Sequence, residues 1–171
     1  HNDFVYVCTG FGIGLIDLKK KEVKDTYFIG DNNSQVKVWD VHVGQDSIFA
    51  STDFGIKAAS LSNSFLSDPS VWNYITNPTN KLFTKIEKIN GALDNQFLLY
   101  NYISTDTSLL INYNNGKWDT ILMDTNFTIN GVTSYSDSWL ISNNSYLVEY
   151  DLNMDTSVSY THLTLPTTPY V

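Results

Sequence analysis

The strongest constraint on the fold of this chain is an internal repeat of short strand-like segments. Phe4–Leu18 aligns without gaps with Ser47–Leu61, 43 positions later, and the two copies share a Phe-Gly-Ile step. A third segment, Asp137–Leu152, fits the same frame 91 positions after Asp46. Self-similarity with a period of about 40–50 residues is typical of repeated supersecondary units, so the sequence predicts a repeat protein.

The units of the repeat are strands, because the chain consists of short runs that alternate apolar and polar residues or are rich in β-branched and aromatic residues. The predicted strands are Phe4–Thr9, Gly12–Leu18, Val23–Ile29, Val36–Val43, Ser47–Thr52, Ile56–Leu61, Val71–Ile75, Leu82–Ile89, Gln96–Ile103, Leu109–Tyr113, Lys117–Leu122, Phe127–Tyr135, Trp139–Ser142 and Tyr146–Leu152. The Asn-Gly step in Asn114-Asn115-Gly116 predicts a tight hairpin. No segment shows a sustained helical period.

One of these runs, Val36–Val43, alternates regularly enough to predict which side chains share a face. The two predicted faces are Val36, Val38 and Asp40 on one side and Lys37, Trp39 and Val41 on the other. This assignment assumes an uninterrupted strand, in which successive side chains point to opposite faces.

Four short strands in every 40–50 residues are the spacing of β-propeller blades, whereas a β-sandwich has similar strand intervals without internal repetition. We therefore expect an all-β fold, a partial β-propeller of about four blades of four-stranded antiparallel sheet. The expected domain spans residues 1–156, with blades at about 1–30, 31–76, 77–122 and 123–156. In this frame the first blade lacks its inner strand and the last its outer strand. An open arc leaves exposed edges, so we expect a fragment of a longer protein.

The last fifteen residues, Ser157–Val171, contain no charged side chain and do not continue the repeat. Within them Val158–Thr167 resembles the translated read-through of a transposase-type sequencing adapter. We therefore interpret Ser157–Val171 as a non-native tail and exclude it from the reasoning on fold and function; the alternative is a genuine C-terminal strand.

Composition excludes several classes of function. Aromatic residues make up 14% of the chain and charged residues only 16%, a balance typical of folded β proteins. The net charge of −8 argues against a nucleic-acid partner, which requires clustered Lys and Arg. The basic run Lys19-Lys20-Lys21 is interpreted as a solvated turn between strands. No apolar run is long enough to predict a membrane span.

No arrangement of residues predicts catalysis, a metal site or a cofactor. Cys8 is expected to be a buried small hydrophobe and His42 a packed residue of a strand. Ser51–Gly55 has only the first half of a sialidase Asp-box, and Trp39-Asp40 is an isolated Trp-Asp dipeptide, so both are interpreted as packing features. A glycosidase pair among the turn aspartates would require them to converge in space.

One stretch does resemble a known family. Tyr6–Lys24, followed by Asp25–Val38 and Ser47–Ala58, is similar to the N-terminal β-propeller of the PorZ family, which belongs to the type IX secretion system of Bacteroidota. The similarity is carried by a strand with a Gly-Ile step, a Lys-rich turn, and the sequences Lys-Asp-Thr-Tyr and Ser-Gln-Val-Lys-Val. The resemblance is strongest over residues 4–76 and fades to a general blade pattern over 77–156. Trp39–His42 depart from the more polar start of a blade expected in the family.

The resemblance implies a non-enzymatic accessory protein on the outer surface of the outer membrane. Its implied partners are proteins of the secretion machinery, above all the sortase, and the glycan of anionic lipopolysaccharide. No cofactor is implied. A second hypothesis is the periplasmic propeller of a hybrid two-component regulator that senses glycan fragments. A third, a propeller hydrolase or lyase, requires Asp31, Asp53 and Asp137 to lie close together.

Propellers bind ligands through loops at one face, where adjacent blades converge. The candidate binding residues are those of the inter-blade loop and of the two repeated turns, namely Asp31, Asn32, Asn33, Ser34, Gln35, Phe11 and Phe54. Amide, hydroxyl and aromatic groups suit a carbohydrate or a protein loop. The same residue types are also ordinary in turns.

Overall fold

The fold of the chain is four antiparallel sheets in sequence order. The computed structural model describes residues 3–76, 82–88, 96–102, 108–114, 117–124, 129–135, 138–142, 147–151 and 156–160. The first sheet contains β1 (Phe4–Cys8), β2 (Ile13–Asp17) and β3 (Glu22–Tyr27), and the second contains β4 (Val38–Val43), β5 (Ser47–Thr52), β6 (Gly55–Ser60) and β7 (Asn73–Ile75). The third contains β8 (Phe83–Lys88), β9 (Gln96–Tyr102), β10 (Ser108–Asn114) and β11 (Lys117–Asp124), and the fourth β12 (Gly131–Tyr135), β13 (Ser138–Ser142), β14 (Leu147–Asp151) and β15 (Thr156–Tyr160).

In each sheet every strand pairs with the next one along the chain, which is the meander of a propeller blade. Each strand predicted from the sequence is present, with ends shifted by a few residues. The all-β, partial-propeller prediction is confirmed. The predicted hairpin also forms, since Asn114 pairs with Lys117, although Asn115 and Gly116 lie outside the described residues.

The sequence repeat is a repeat of strand register. In the first sheet Phe4 pairs with Asp17, and in the second the residues 43 positions later, Ser47 and Ser60, pair in the same way. A further 91 positions along, Ser138 pairs with Asp151 in the fourth sheet. Because a slip of one residue would turn every side chain to the opposite face, equal register places equivalent side chains on equivalent faces.

The hydrophobic core lies between consecutive sheets. Buried residues from the first two sheets form one cluster, which includes Ile13, Leu15, Ile48 and Ala50. The opposite face of the second sheet packs on the third through Phe49, Ile56, Phe83, Leu99 and Ile111, and the third packs on the fourth through Leu110, Val132, Trp139 and Ile141. Alternating strand residues thus face alternate neighbours, as in stacked blades.

The predicted alternation of β4 is wrong beyond Val38. A β-bulge lies between Val38 and Asp40, where the register with β5 shifts by one residue. As a result Val41 packs against the same core cluster as Val36 and Val38, not on the opposite face. An extra residue in one strand reverses the alternation from that point on, and the sequence pattern does not mark where the extra residue lies.

The first sheet has the strand composition expected from the sequence, whereas the last sheet does not. The first sheet has three strands, which by register are equivalent to β5, β6 and β7, so it lacks a counterpart of β4 among the described residues. The last sheet, by contrast, has a fourth strand, Thr156–Tyr160, paired with β14. The expectation of a missing outer strand is therefore wrong, because Thr156–Tyr160 pairs with the edge of β14 that would otherwise be free.

The assignment of Ser157–Val171 to a non-native tail concerns the origin of the segment, which strand pairing does not address, so it stays a prediction. Residues 161–171 lie outside the described part of the chain.

Candidate functional site

The predicted binding residues all lie at one end of the first two sheets. Cys8 pairs with Ile13, so the turn between β1 and β2 lies at the end where β3 finishes, since Tyr27 also pairs with Ile13. Val38 pairs with Thr52, so β4 begins at the end where β5 turns into β6. Residues 28–37 connect these two points. The two repeated turns and the inter-blade loop therefore share one end of the sheets, which we name the loop end.

The two repeated turns have the same hydrogen bonds. The Thr9 hydroxyl donates to the Gly12 carbonyl at 2.8 Å and accepts from the Phe11 N–H at 3.2 Å. Its counterpart, the Thr52 hydroxyl, donates to the Gly55 carbonyl at 2.7 Å and accepts from the Phe54 N–H at 3.1 Å. In each turn the threonine hydroxyl bonds two backbone groups of the turn, and this fixes the backbone of the phenylalanine two positions later.

Glycine is required at the fourth position of each turn. Gly12 has φ +149° and Gly55 φ +129°, a region that L side chains rarely adopt. A Cβ at Gly12 would also collide with the Tyr27 carbonyl oxygen. The shared Phe-Gly-Ile step is therefore a structural turn that also exposes a phenylalanine.

The two phenylalanines differ in their surroundings. Phe11 is partly exposed and its ring packs near that of Phe28, with 6.2 Å between centroids, so it supports the inter-blade loop. Phe54 is 70% exposed. The two turns have the same hydrogen bonds, but the Phe54 ring of the second turn is much more exposed than the Phe11 ring of the first and is available to a binding partner.

The inter-blade loop is folded back on itself. Asp31–Asn33 form a 3₁₀ turn, closed by the Ser34 N–H donating to the Asp31 carbonyl at 3.1 Å. Asn32 (φ 55°) and Asn33 (φ 64°) are left-handed, a conformation that asparagine tolerates better than most residues but at some cost in backbone free energy. All five predicted residues, 31–35, are exposed.

A buried lysine anchors this loop, and the sequence patterns did not identify it. Lys57 on β6 is only 2% exposed, and its Nζ donates to the Ile29 carbonyl and to Asp31 Oδ1, both at 2.7 Å. The same ammonium lies 4.4 Å from the centre of the Tyr74 ring. The sequence signal was present, since Lys57 stands where Gly14 stands in the first repeat, on an otherwise apolar face.

A cavity of about 310 Å³ opens beside the anchored loop. It is lined by Asp31 and Asn32 on one side and by Pro69, Ser70 and Trp72 on the other. Pro69–Val71 form a second 3₁₀ turn, capped by the Asp68 carboxylate, which accepts from the Ser70 N–H at 2.9 Å. Hydrogen bonds from Ser70 lower the pKa of Asp68, so this carboxylate is charged at neutral pH.

The partial motifs are packing features. In the incomplete Asp-box, Asp53 Oδ1 accepts from the Trp39 indole N–H at 2.7 Å, and the Lys37 ammonium lies 3.1 Å from the centre of the Trp39 ring. Asp40 of the Trp-Asp dipeptide accepts from the Ile86 N–H at 3.3 Å and lies 3.7 Å from Lys85 Nζ. Asp40 therefore links the second sheet to the third.

The isolated cysteine and histidine are packed side chains. Cys8 packs against the first core cluster, and burial together with the nearby charge of Asp40 raises its pKa to about 11, so the thiol stays protonated. His42 is buried, with its ring 6.0 Å from that of Phe49. Within the described residues no group of three His, Cys, Asp or Glu side chains is arranged to hold a metal ion.

The basic turn lies at the end opposite the loop end, between β2 and β3, and its charges are largely compensated. Lys19 Nζ lies 2.6 Å from Asp3 and Lys20 Nζ 3.8 Å from Glu22. Lys24 Nζ lies 4.1 Å above the Phe4 ring. The turn is therefore not a concentrated positive patch for anions.

The third hypothesis, a propeller hydrolase or lyase, requires Asp31, Asp53 and Asp137 to lie close together. Asp137 lies outside the described residues, so this convergence is not tested.

A helix long and apolar enough to cross a membrane does not occur in the described ranges, whose only helical segments are the two 3₁₀ turns.

One family model matches the first part of the chain. Residues 1–73 match the family model described as the N-terminal β-propeller domain of PorZ, type IX secretion system. Comparison with curated protein sequences finds no match. The matched residues contain the first sheet, the inter-blade loop and most of the second sheet, and thus every predicted binding residue.

Solved structures share the fold. The structure of PorZ, described as an essential surface component of the type IX secretion system of Porphyromonas gingivalis, superposes with a TM-score of 0.63 at 13% identity over 94% of this chain. The extracellular domain of a putative one-component system from B. thetaiotaomicron gives 0.62 at 13% over 98%, and a prolyl endopeptidase structure gives 0.60 at 12% over 97%. This chain covers only 20%, 22% and 25% of those three chains, respectively.

Proposed function

We propose that this chain, a PorZ-like β-propeller, is a non-enzymatic binding scaffold of the type IX secretion system at the bacterial cell surface. The family match over residues 1–73 and the structural similarity to PorZ support the assignment to this system. The observation that carries the binding role is the loop end, where two turns of equal geometry and an anchored loop from different blades come together.

The ligand that suits this end is a protein of the secretion machinery, with the sortase as the first candidate. Phe54 is 70% exposed on a rigid turn, and aromatic side chains held in place are the usual anchors of protein interfaces. Anionic lipopolysaccharide is the second candidate ligand. It is less well matched, because the chain has a net charge of −8 and its one compact basic run is compensated by acidic neighbours.

The experiment is a binding titration of the immobilised chain with the purified type IX sortase. We expect Phe54→Ala to weaken binding by about fivefold or more, as for an interface anchor. Phe65→Ala is the matched control, because Phe65 is equally exposed (71%) and lies in the loop that follows Ser60, at the other end of β6. Equal losses in both variants, or binding of anionic lipopolysaccharide but not of sortase, would overturn the protein-docking proposal.

A second candidate function is the periplasmic glycan-sensing propeller of a hybrid two-component regulator. It is supported by the structural similarity to the extracellular domain of a putative one-component system. Gene context separates the two functions. A secretion accessory protein continues into a second propeller and a sorting domain, whereas a sensor continues into a β-sandwich, a membrane helix and a kinase.

A further inference from the structure

We propose that the free edge of β1 binds one further antiparallel β-strand, supplied by a segment of the same polypeptide outside residues 1–171. β1 is the edge strand of a three-stranded sheet, and none of the described strands pairs with its open side. The other three sheets have four strands each, joined in sequence order. The added strand completes the first sheet, and this inference does not depend on docking of a protein at Phe54.

The hydrogen-bond register shows which backbone groups of β1 face its open edge. The Leu18 N–H donates to the Asp3 carbonyl at 2.9 Å, and the pairing of β1 with β2 is regular over the whole strand. In an antiparallel ladder the residues that bond one neighbouring strand alternate with those that bond the other. Since Asp3 bonds towards β2, the N–H and C=O groups of Tyr6 and Cys8 point to the open edge, ready to pair with another strand.

The second sheet supplies the geometry of the added strand, because β1 and β5 have the same register in the repeat. Tyr6 corresponds to Phe49 on β5, which pairs with His42 on β4. A strand added to β1 in the same way places one residue directly opposite Tyr6. The side chain of that residue lies on the face that packs against the second sheet, as the Tyr6 side chain does.

The other face of β1 indicates which side chains the added strand carries. Val5 and Val7 are exposed, whereas their counterparts 43 positions later, Ile48 and Ala50, are fully buried. Ile48 and Ala50 pair with two valines of β4, and both valines pack against the first core cluster. We therefore expect apolar residues, β-branched ones above all, opposite Val5 and Val7.

The source that fits this edge is the same polypeptide. This chain covers only 20% of the solved PorZ chain and 22% of the extracellular domain of the one-component system, so most of each of those chains lies outside the part that superposes. A strand from the same polypeptide pairs at a high effective concentration, which a separate peptide lacks. Pairing also removes an open edge that would otherwise be a template for aggregation.

A synthetic peptide of residues 35–44, which contain β4, is the probe, because β4 pairs with the repeat counterpart of β1. The Gly44 N–H donates to the Ser47 carbonyl at 2.8 Å, so alternate residues of β4, His42 among them, bond β5. Val41 directs its N–H away from β5. N-methylation at His42 therefore removes a hydrogen bond to the receiving strand, and N-methylation at Val41 is the matched control.

The test is amide hydrogen exchange, followed by NMR on the 171-residue chain with and without the peptide. We expect the N–H groups of Tyr6 and Cys8 to exchange quickly in the free chain. At a peptide concentration ten times the dissociation constant they should exchange about tenfold more slowly. The N–H groups of Val5 and Val7, which bond β2, should be protected from the start and change little.

The methylated peptides and the intact gene product test the pairing and its source. We expect the peptide methylated at His42 to bind about tenfold more weakly than the parent peptide, and the one methylated at Val41 to bind equally well. In the intact gene product the N–H groups of Tyr6 and Cys8 should exchange slowly without any peptide, because the edge is already paired.

Four outcomes would overturn the proposal. The first is unchanged exchange at Tyr6 and Cys8 when the peptide is added, and the second is equal weakening by the two methylations. The third is fast exchange at the same two residues in the intact gene product. The fourth is a dimer of the 171-residue chain in which these two N–H groups are protected without peptide, which would assign the edge to a second copy.

Discussion

Lys57 Nζ, on β6, lies 2.7 Å from Asp31 Oδ1 in the inter-blade loop, and the Lys57 side chain is 2% exposed whereas that of Asp31 is 69% exposed. Because of this difference in exposure, removing Asp31 and removing Lys57 should change the stability of the chain by different amounts. A lysine left without its carboxylate remains in the core, whereas an aspartate left without its lysine is already in water.

We therefore predict that Asp31→Ala destabilises the chain more than Lys57→Met. Asp31→Ala leaves a buried ammonium with only the Ile29 carbonyl and the Tyr74 ring, at an expected cost of about 2 kcal/mol, discounted for the exposure of Asp31. Lys57→Met keeps the volume and removes the buried charge, at about 1 kcal/mol. Chemical denaturation measures both, and the double variant should resemble Lys57→Met. Equal losses in the free energy of unfolding for Asp31→Ala and Lys57→Met would contradict the prediction and indicate that the Lys57 ammonium reaches solvent.

The repeated turns predict a specific role for the threonine hydroxyl. Thr52→Val keeps the shape but removes the hydroxyl that donates to Gly55 and accepts from the Phe54 N–H, so we expect a loss of about 1–2 kcal/mol in the free energy of unfolding. Thr52→Ser retains the hydroxyl and is the control. Thermal or urea unfolding gives the comparison, and an equally large loss in Thr52→Ser would assign the effect to packing of the methyl group.

Equivalent positions on neighbouring sheets predict unequal sensitivity to substitution. Val5 is 39% exposed, whereas Ile48, its counterpart 43 positions later, is fully buried between the first two sheets. We expect Ile48→Thr to cost about 2–3 kcal/mol, from lost apolar burial and a buried hydroxyl, and Val5→Thr to change stability by no more than about 0.5 kcal/mol. Urea unfolding of the two variants of the 171-residue chain tests this. A large effect at Val5 would show that its face is covered.

The Asp17 carboxylate predicts a dependence of stability on pH. Its Oδ1 accepts from the N–H groups of Lys19 and Lys20, at 2.9 and 3.0 Å, and the bond from Lys20 is the main reason that its pKa is lowered in the folded chain. A lowered pKa stabilises the fold above the pKa of the unfolded chain, and this stabilisation is lost as the pH falls through the folded value.

Asp17→Asn should therefore lower the melting temperature at about pH 7, and the difference from the parent chain should shrink as the pH falls through the lowered pKa of Asp17, because the protonated carboxyl is neutral like the amide. Asp25→Asn is a control, since Asp25 is also acidic and on β3 but bonds only the N–H of its neighbour Thr26. A difference between Asp17→Asn and the parent that does not change with pH would contradict the prediction.

Much of the fold could be predicted from the sequence because it depends on local periodicity. Strand positions follow from alternating side chains, and the 43-residue frame predicts that Phe4–Leu18 and Ser47–Leu61 share a register, which the pairs Phe4–Asp17 and Ser47–Ser60 confirm. The loop end could be predicted too, since antiparallel strands of known order place alternate connections at the same end.

Other features were decided only by the tertiary structure, because they depend on residues distant in sequence or on a local break in regularity. The bulge of β4 reverses the facing of Val41, and nothing in the alternation of Val36–Val43 indicates it. Lys57 meets Asp31 across 26 positions, and the cavity forms only where the inter-blade loop meets the turn at Pro69–Val71. Periodic patterns determine which residues form strands and which face the core; the partner that neutralises a buried charge is determined by how the blades pack.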